Sequence, residues 1–342
     1  MDYCLLPQFL QYELTYACNS SCTFCYNPSH RGLPDESTRI AVLRALNRYR
    51  LRHVQLIGGE VTLLKDLPHY LDQLHDVQWR SLVTNGRIFV SELAGRVNEV
   101  YLSLHGTPEV HEAMTKAPGS FEIISASIEN YVRLGITVHS DTVLSRVNAS
   151  LMYEVARRAS NLGMHTLYVN IFQPAGLGFQ FADDLAPSNE QIKDAITQLL
   201  QARQDFKLFI KFGTSTPFCL DERLITEGLA FRCGAGDWFA SFNPWGELRI
   251  CNQSARSYGN ILELPLHEIW HSKDINREYR SLQWLEEPCR SCPVVSSCLG
   301  GCRISDSGKP RIDPLVVRDK QFLLSHQQLA TLKDQIGSTA YR

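Results

Sequence analysis

Along roughly the first 200 residues, short apolar runs alternate with segments whose apolar positions recur every three to four residues. The runs 10–17, 53–59, 80–86, 99–106, 136–145 and 165–176 read as strands; 37–50, 66–76, 90–97, 120–135 and 150–163 read as helices. Ser37 is the expected N-cap of the first helix and Gly135 the stop of the long amphipathic one. Six strand–helix alternations predict an α/β fold with a parallel sheet, best met by a partial (β/α)6 TIM-like barrel. A doubly wound open sheet is the competing architecture. In a barrel, functional residues gather at the C-terminal ends of the strands. The segments "CNSSCTFC" (18–25), "GGE" (58–60), "TNG" (84–86), "SLHG" (103–106) and "SRVN" (145–148) all stand there.

The rhythm changes after a polar helix at 189–205. Residues 238–253 read as a hairpin around "NPWG", and a cysteine-rich region of loops follows. Its lack of long apolar runs predicts a small core that needs staples, which bound metal would supply. The expected division is a barrel over 1–205, a cysteine-rich domain over 206–318, and a C-terminal helix within 319–342 packing back on the body.

Composition adds limits. The 342 residues are 44% hydrophobic and 20% charged, with a formal net charge of -2, which suits a globular protein and points to no nucleic-acid partner. No apolar run approaches the ~18 residues that span a bilayer. The start, "MDYCLLPQFLQYELTY", lacks a basic region and a cleavage site, so a cytoplasmic protein with no membrane partner is expected. Eleven cysteines are then the anomaly, because a reducing compartment disfavours disulfides. They bunch as metal ligands do: Cys4, Cys18, Cys22 and Cys25 near the start, then Cys219, Cys233, Cys251, Cys289, Cys292, Cys298 and Cys302. Cys4 reads as a free buried thiol.

Cys18-x3-Cys22-x2-Cys25 closes a loop of the size that wraps one cubane cluster, and thiolates are the ligands such clusters prefer. Three thiolates on four irons leave one iron open to a cofactor. A zinc site completed by His30, or three structural thiols, is the plainer alternative. The spacing, with aromatic Phe24 before the last cysteine, resembles the signature of the radical S-adenosylmethionine (SAM) superfamily. The resemblance covers residues 8–316. It implies a [4Fe–4S] cluster whose open iron chelates SAM, reductive cleavage to a 5'-deoxyadenosyl radical, and hydrogen abstraction from a substrate. It also implies an electron donor such as flavodoxin or ferredoxin. Gly58, Gly59 and Glu60 are similar to the family's GGE motif, which contacts the SAM amino group. The glycines would let a ligand approach the backbone, and Glu60 would accept from an ammonium group. Asn85, Ser103, His105 and Asn148 stand in further family-like segments and join the expected cofactor-binding set. His105 replaces an Asp common in relatives; ribose contact and a structural role are both open for it.

The C-terminal cysteines resemble the SPASM extension of that superfamily, which holds auxiliary iron–sulfur clusters. The resemblance implies that Cys219, Cys233, Cys251 and Cys302 bind a first cluster, and Cys289, Cys292 and Cys298 a second. Relatives often end the motif with a cysteine where this chain has Val316. Asp313 or Asp306 as ligand, an open iron, or loss of the second cluster are the readings left. A four-cysteine zinc knot of Cys289, Cys292, Cys298 and Cys302 is the alternative. Tyr26 and Asn27 line the SAM site or simply pack. Phe172, Phe179 and Phe181 belong to the core or line a substrate cleft.

The resemblance therefore implies a radical SAM oxidoreductase or maturase that cross-links or oxidises a peptide or protein side chain. Cys18 stands so near the start of the sequence that no separate leader-binding domain is expected before the barrel. This keeps dehydrogenation or epimerisation of a small natural-product or sugar precursor as a second reading. A non-enzymatic zinc or iron–sulfur binding module is the third.

Overall fold

The computed structural model describes residues 4–304, 309–318 and 320–336. Its centre is a run of parallel strands in chain order: β1 (Phe9–Thr15), β2 (His53–Gly58), β3 (Trp79–Thr84), β4 (Glu99–Ser103), β5 (Thr137–Leu144), β6 (Thr166–Ile171) and β7 (Phe209–Phe212). Helices α1 (Glu36–Asn47), α2 (Leu67–Asp72), α3 (Pro108–Thr115), α4 (Ser120–Arg133), α5 (Met152–Asn161), α6 (Ala182–Leu185) and α7 (Asn189–Phe206) lie in the connections. The order rises from β1 to β7 without reversal, and β7 ends the sheet. A doubly wound sheet would reverse its order at a switch point. The arrangement is an open barrel arc, as the alternation predicted.

Period and packing agree along these elements. Leu10, Tyr12 and Leu14 of β1 are fully buried at alternate positions. In α4, Phe121, Ile124, Ile128 and Tyr131 return on one face and are buried.

The C-terminal hairpin is built as expected, from β8 (Phe239–Phe242) and β9 (Glu247–Arg249), with β10 (Ser257–Asn260) beyond. Its placement was not foreseen. β8 pairs in parallel with β1, so the hairpin extends the barrel sheet into ten strands. Ala240, Phe242, Leu248, Ile250, Leu266 and Trp270 therefore join the barrel's own hydrophobic cluster. The expectation of a small core for this region is corrected: among the described residues, only Leu285, Cys289 and Val316 form a second cluster.

Other differences are local. The first helix is capped by Asp35, whose carboxylate accepts from the Thr38 N–H at 2.7 Å; Ser37 instead donates to Asp35. The helix expected over 90–97 shrinks to a turn at Ser91–Leu93, because Gly95 takes a left-handed φ of 76° and ends it. The helix expected over 319–336 is broken: within it Ser325 caps a new helix, His326–Leu332. Helix α3 and strand β7 were not anticipated; α3 carries the Thr-Pro-Glu start that marks a helix N-terminus.

Candidate active site and cysteine centres

Cys18, Cys22 and Cys25 lie on the loop that leaves the C-terminal end of β1. Neighbouring connections hold this loop through its backbone. The Thr23 N–H and hydroxyl both donate to the Met114 carbonyl at the end of α3, at 2.9 and 3.2 Å. Phe24 stands edge-on to the His105 ring, centroids 4.6 Å apart. On the other side, the Gly178 N–H donates to Cys25 at 2.7 Å and the Leu177 N–H to Asn27 at 2.9 Å. A Cβ at Gly176 would lie 2.0 Å from the Tyr26 carbonyl oxygen, so the turn after β6 needs glycine to sit against the cysteine loop. The glycine pair in "PAGLG" following a strand was the signal for this seat.

The three thiols line one cavity of about 350 Å³ that fills the barrel mouth. Burial pushes the Cys18 and Cys22 thiols up, and the Cys25 thiol up to about 11. His30 lines the same cavity, as do Tyr26 and Asn27.

The GGE segment is used differently from the expectation. Gly58 and Gly59 line the cavity, but their missing side chains make room for the chain itself. A Cβ at Gly59 would lie 2.3 Å from the Ala17 carbonyl oxygen, and one at Gly58 would lie 2.2 Å from that of Thr15. Those carbonyls accept from the Glu60 and Gly59 N–H groups at 2.8 and 2.7 Å, which locks β2's end to the start of the cysteine loop. Glu60 is fully buried. Its carboxylate accepts from the Thr62 N–H (3.0 Å), the Thr62 hydroxyl (2.7 Å), the Thr84 hydroxyl (2.6 Å) and the Asn85 N–H (2.6 Å). Burial still pushes its pKa up against those donors. Glu60 is thus the pin joining the β2 and β3 loops.

Asn85, Ser103 and Phe24 line the cavity. The Asn85 amide donates to Asn19 at 2.7 Å. His105 and Asn148 do not reach the cavity lining. Asn148 is fully engaged: its oxygen accepts from the Ser145 N–H and hydroxyl, and its amide donates to the carbonyls of His105 and Val143 at 2.7 and 2.8 Å. The buried His105 accepts the Val143 N–H on Nδ1 at 3.2 Å and stacks on His111. Burial holds it well below the usual histidine range, so it is a neutral buttress beneath Phe24.

The C-terminal cysteines divide in an unforeseen way. Cys233, Cys251 and Cys302 line the same mouth cavity as Cys18, Cys22 and Cys25. Cys219 lines a second, small cavity with Cys289, Cys292, Cys298 and Val316. The thiols that push Cys219 up after burial itself are Cys298, Cys289 and Cys292; Cys302 is pushed up by burial, then Asp313, then Cys233 and Cys251. Cys219 therefore stands with the second set, not the first. Asp313 is fully buried, with its two carboxylate oxygens accepting the Cys302 and Leu315 N–H groups, both at 2.9 Å. It lines neither of these cavities, and it holds the Cys302 loop in place. Asp306 lies outside the described residues.

The donor chemistry fits iron–sulfur clusters, since thiolates are their preferred ligands and none of the eleven cysteines is in a disulfide. The placement does not favour the zinc knot, since Cys302 faces a different cavity from Cys289, Cys292 and Cys298. Cys4 is only half-buried and lines neither cavity, with burial raising its thiol.

Several cavity residues escaped sequence reading. Asp141 and Asn170, on β5 and β6, face the cavity and bond to each other, beside Tyr101 and Tyr168. Burial pushes Asp141 up to about 6. A polar residue at an inward strand position was the available sign. Of the three phenylalanines, Phe172 is buried and lines the cavity, while Phe179 is 55% exposed.

An open α/β barrel with three thiols at its mouth, and cysteine sets beyond, defines a radical SAM enzyme with auxiliary centres. Residues 12–159 match the model of the radical SAM superfamily, and residues 233–293 that of SPASM, an iron–sulfur cluster-binding domain. Mycofactocin maturase MftC of Mycolicibacterium smegmatis is 31% identical over 317 residues, 86% of this chain and 78% of that protein. PqqA peptide cyclase of Gluconobacter oxydans is 25% identical over 316 residues, 87% of this chain and 86% of that one. The chain belongs to the radical SAM superfamily and carries its SPASM domain. Its cofactors are SAM with a [4Fe–4S] cluster, and auxiliary iron–sulfur centres. The fold agrees with SuiB of Streptococcus suis (TM-score 0.72, 15% identity, 91% of this chain and 77% of that one) and with anSMEcpe bound to AdoMet (0.70, 17%, 96% and 100%). No helix among the described residues is long and apolar enough to cross a membrane.

Proposed function

We propose that this enzyme oxidises or cross-links a side chain of a peptide. One observation carries the reading: a single cavity of about 350 Å³ is lined both by Cys18, Cys22 and Cys25 and by Cys233, Cys251 and Cys302. A substrate seated there is within reach of a radical generated on one side and of an electron acceptor on the other. That pairing suits a net two-electron oxidation. The peptide class is supported by the curated relative named as a peptide cyclase.

In this reading Cys18, Cys22 and Cys25 hold the cluster, and Phe24, Gly58, Gly59, Asn85 and Ser103 surround SAM. Bound there, the cluster and SAM supply a 5'-deoxyadenosyl radical that takes a hydrogen atom from the substrate. The chain's own part is orientation and exclusion of water. Glu60 fixes the loops bearing Gly59 and Asn85. His105 sets Phe24. Asp141 and Asn170 present the polar wall opposite, and Asp141 has a carboxyl able to hold or release a proton near neutrality. An external donor such as flavodoxin or ferredoxin supplies the electron.

The test uses anaerobically reconstituted protein with dithionite, SAM and candidate peptides deuterated at one side chain. The expected result is 5'-deoxyadenosine that carries deuterium, and a peptide lighter by two hydrogens. Deuterium transfer from a small sugar or amino compound but from no peptide would overturn the substrate class.

A further inference from the structure

We propose that Cys219, on the segment between β7 and β8, is the fourth ligand of the second auxiliary site. The seven C-terminal cysteines then divide into four (Cys219, Cys289, Cys292, Cys298) and three (Cys233, Cys251, Cys302). The inference rests on the reading of these cysteines as cluster ligands.

The placement comes from independent contacts. Cys219 lines the small cavity with Cys289, Cys292 and Cys298, and the mouth cavity with none. It packs where the main hydrophobic cluster meets the small one of Leu285, Cys289 and Val316. Its segment is tied to the same loop: the Phe218 N–H donates to the Cys298 sulfur at 3.4 Å. A Cβ on Gly301 would lie 2.6 Å from the Pro217 ring, so only a glycine lets these two segments meet. From the other side, the Leu324 N–H donates to the Cys219 carbonyl at 2.7 Å.

Val316 lines the same cavity, in the position where a terminal cysteine was expected, and offers only methyl groups. Cys219 makes up that shortage from a distant part of the chain. Asp313 is not placed for such a role, because it lines neither cavity. The consequence falls on the first site. Cys233, Cys251 and Cys302 retain no fourth cysteine, and they face the cavity shared with Cys18, Cys22 and Cys25. A cluster held there would take its remaining ligand from a group other than cysteine.

The experiment compares anaerobically reconstituted full-length proteins by iron content and by EPR of the reduced state. Cys219→Ala is expected to change or lose one reduced-state EPR signal, with loss of up to about four irons, one cubane cluster. The signal it affects should be the one affected in Cys289→Ala, while the signal affected in Cys233→Ala stays. Cys219→Ala with Val316→Cys should regain the irons and the signal, because the new thiol enters the same cavity. A change instead in the signal that depends on Cys233, or a spectrum unchanged from wild type, would overturn the division, as would failure of the double variant to recover. If Cys219→Ala does not fold, Val316→Cys alone decides. A site already complete keeps its iron and spectrum, whereas a site short of a ligand changes its spectrum when the thiol arrives. Wild-type protein that takes up no iron would instead sink the underlying cluster reading.

Discussion

Arg249 on β9 donates its guanidinium to the carboxylate of Glu13 on β1, and both side chains are buried. This ion pair spans 236 residues of sequence and rivets the C-terminal hairpin to the first barrel strand. Burial lowers the arginine to about 10, and the nearby Cys251 thiol opposes that shift. Glu13→Ala leaves a cation buried without its partner, a situation that destabilises by about 3–5 kcal/mol. The anaerobic urea midpoint should fall accordingly, with Glu13→Gln falling less. A midpoint within error of wild type for Glu13→Ala would show that the pair does not join the two parts.

Glu60 gathers four donors from two loops; it does not line the cavity itself, but two of its donors, Thr84 and Asn85, do. Hydrogen bonds to a charged group contribute about 1.5–3 kcal/mol each. Glu60→Gln replaces one acceptor oxygen by a donor, which cannot receive the Thr84 hydroxyl and the Asn85 N–H together. The β3 loop should loosen, and SAM affinity by equilibrium dialysis should fall by about tenfold or more, on the order of 1.4 kcal/mol. Unchanged affinity would mean that Gly59 and Asn85 hold their places without the pin.

The strand–helix alternation and the cysteine loop were legible because period-two and period-3.6 patterns, and ligand spacing, are local properties. Pairing between distant segments was not. Nothing near Phe239 announces that it will lie beside Phe9, since a parallel pair needs no turn between its members. The same holds for Cys219. The family resemblance implied the first set, but the seat beside Cys298 depends on a glycine at 301 and on where Leu324 crosses. The role of Glu60 was half legible. A carboxylate after two glycines is visible in sequence, but whether it faces a ligand or its own loops depends on Thr62 and Thr84.

His105 separates the two readings that its sequence left open. It receives one backbone N–H and supports Phe24 by ring contact, with no exposure to the cavity. His105→Phe keeps the ring surface and loses one acceptor, at a cost of about 1–3 kcal/mol in stability. SAM affinity should stay within about threefold, less than one kcal/mol. A tenfold loss of SAM affinity at unchanged iron content would restore the ribose-contact reading.

Asp141 sets a pH dependence whose sign follows from its burial. Its ordinary value of 3.8 is raised to about 6 by desolvation, against the Asn170 amide that favours the charged form. A carboxyl raised on folding binds its proton more tightly in the native state. Its contribution to stability is fully present below about pH 4 and is lost as pH rises through about 6. Asp313, also raised to about 6 by burial, adds to the same slope. The melting temperature of the holoprotein should therefore decline between about pH 4 and about pH 6. Asp141→Asn keeps the volume and a bond to Asn170 but has no proton to lose. It should remove part of that decline and leave the variant more stable than wild type near pH 8, while the part due to Asp313 persists. Parallel wild-type and Asp141→Asn melting curves across this range would show that the cavity keeps Asp141 solvated, and would remove it from any proton-holding role in the site.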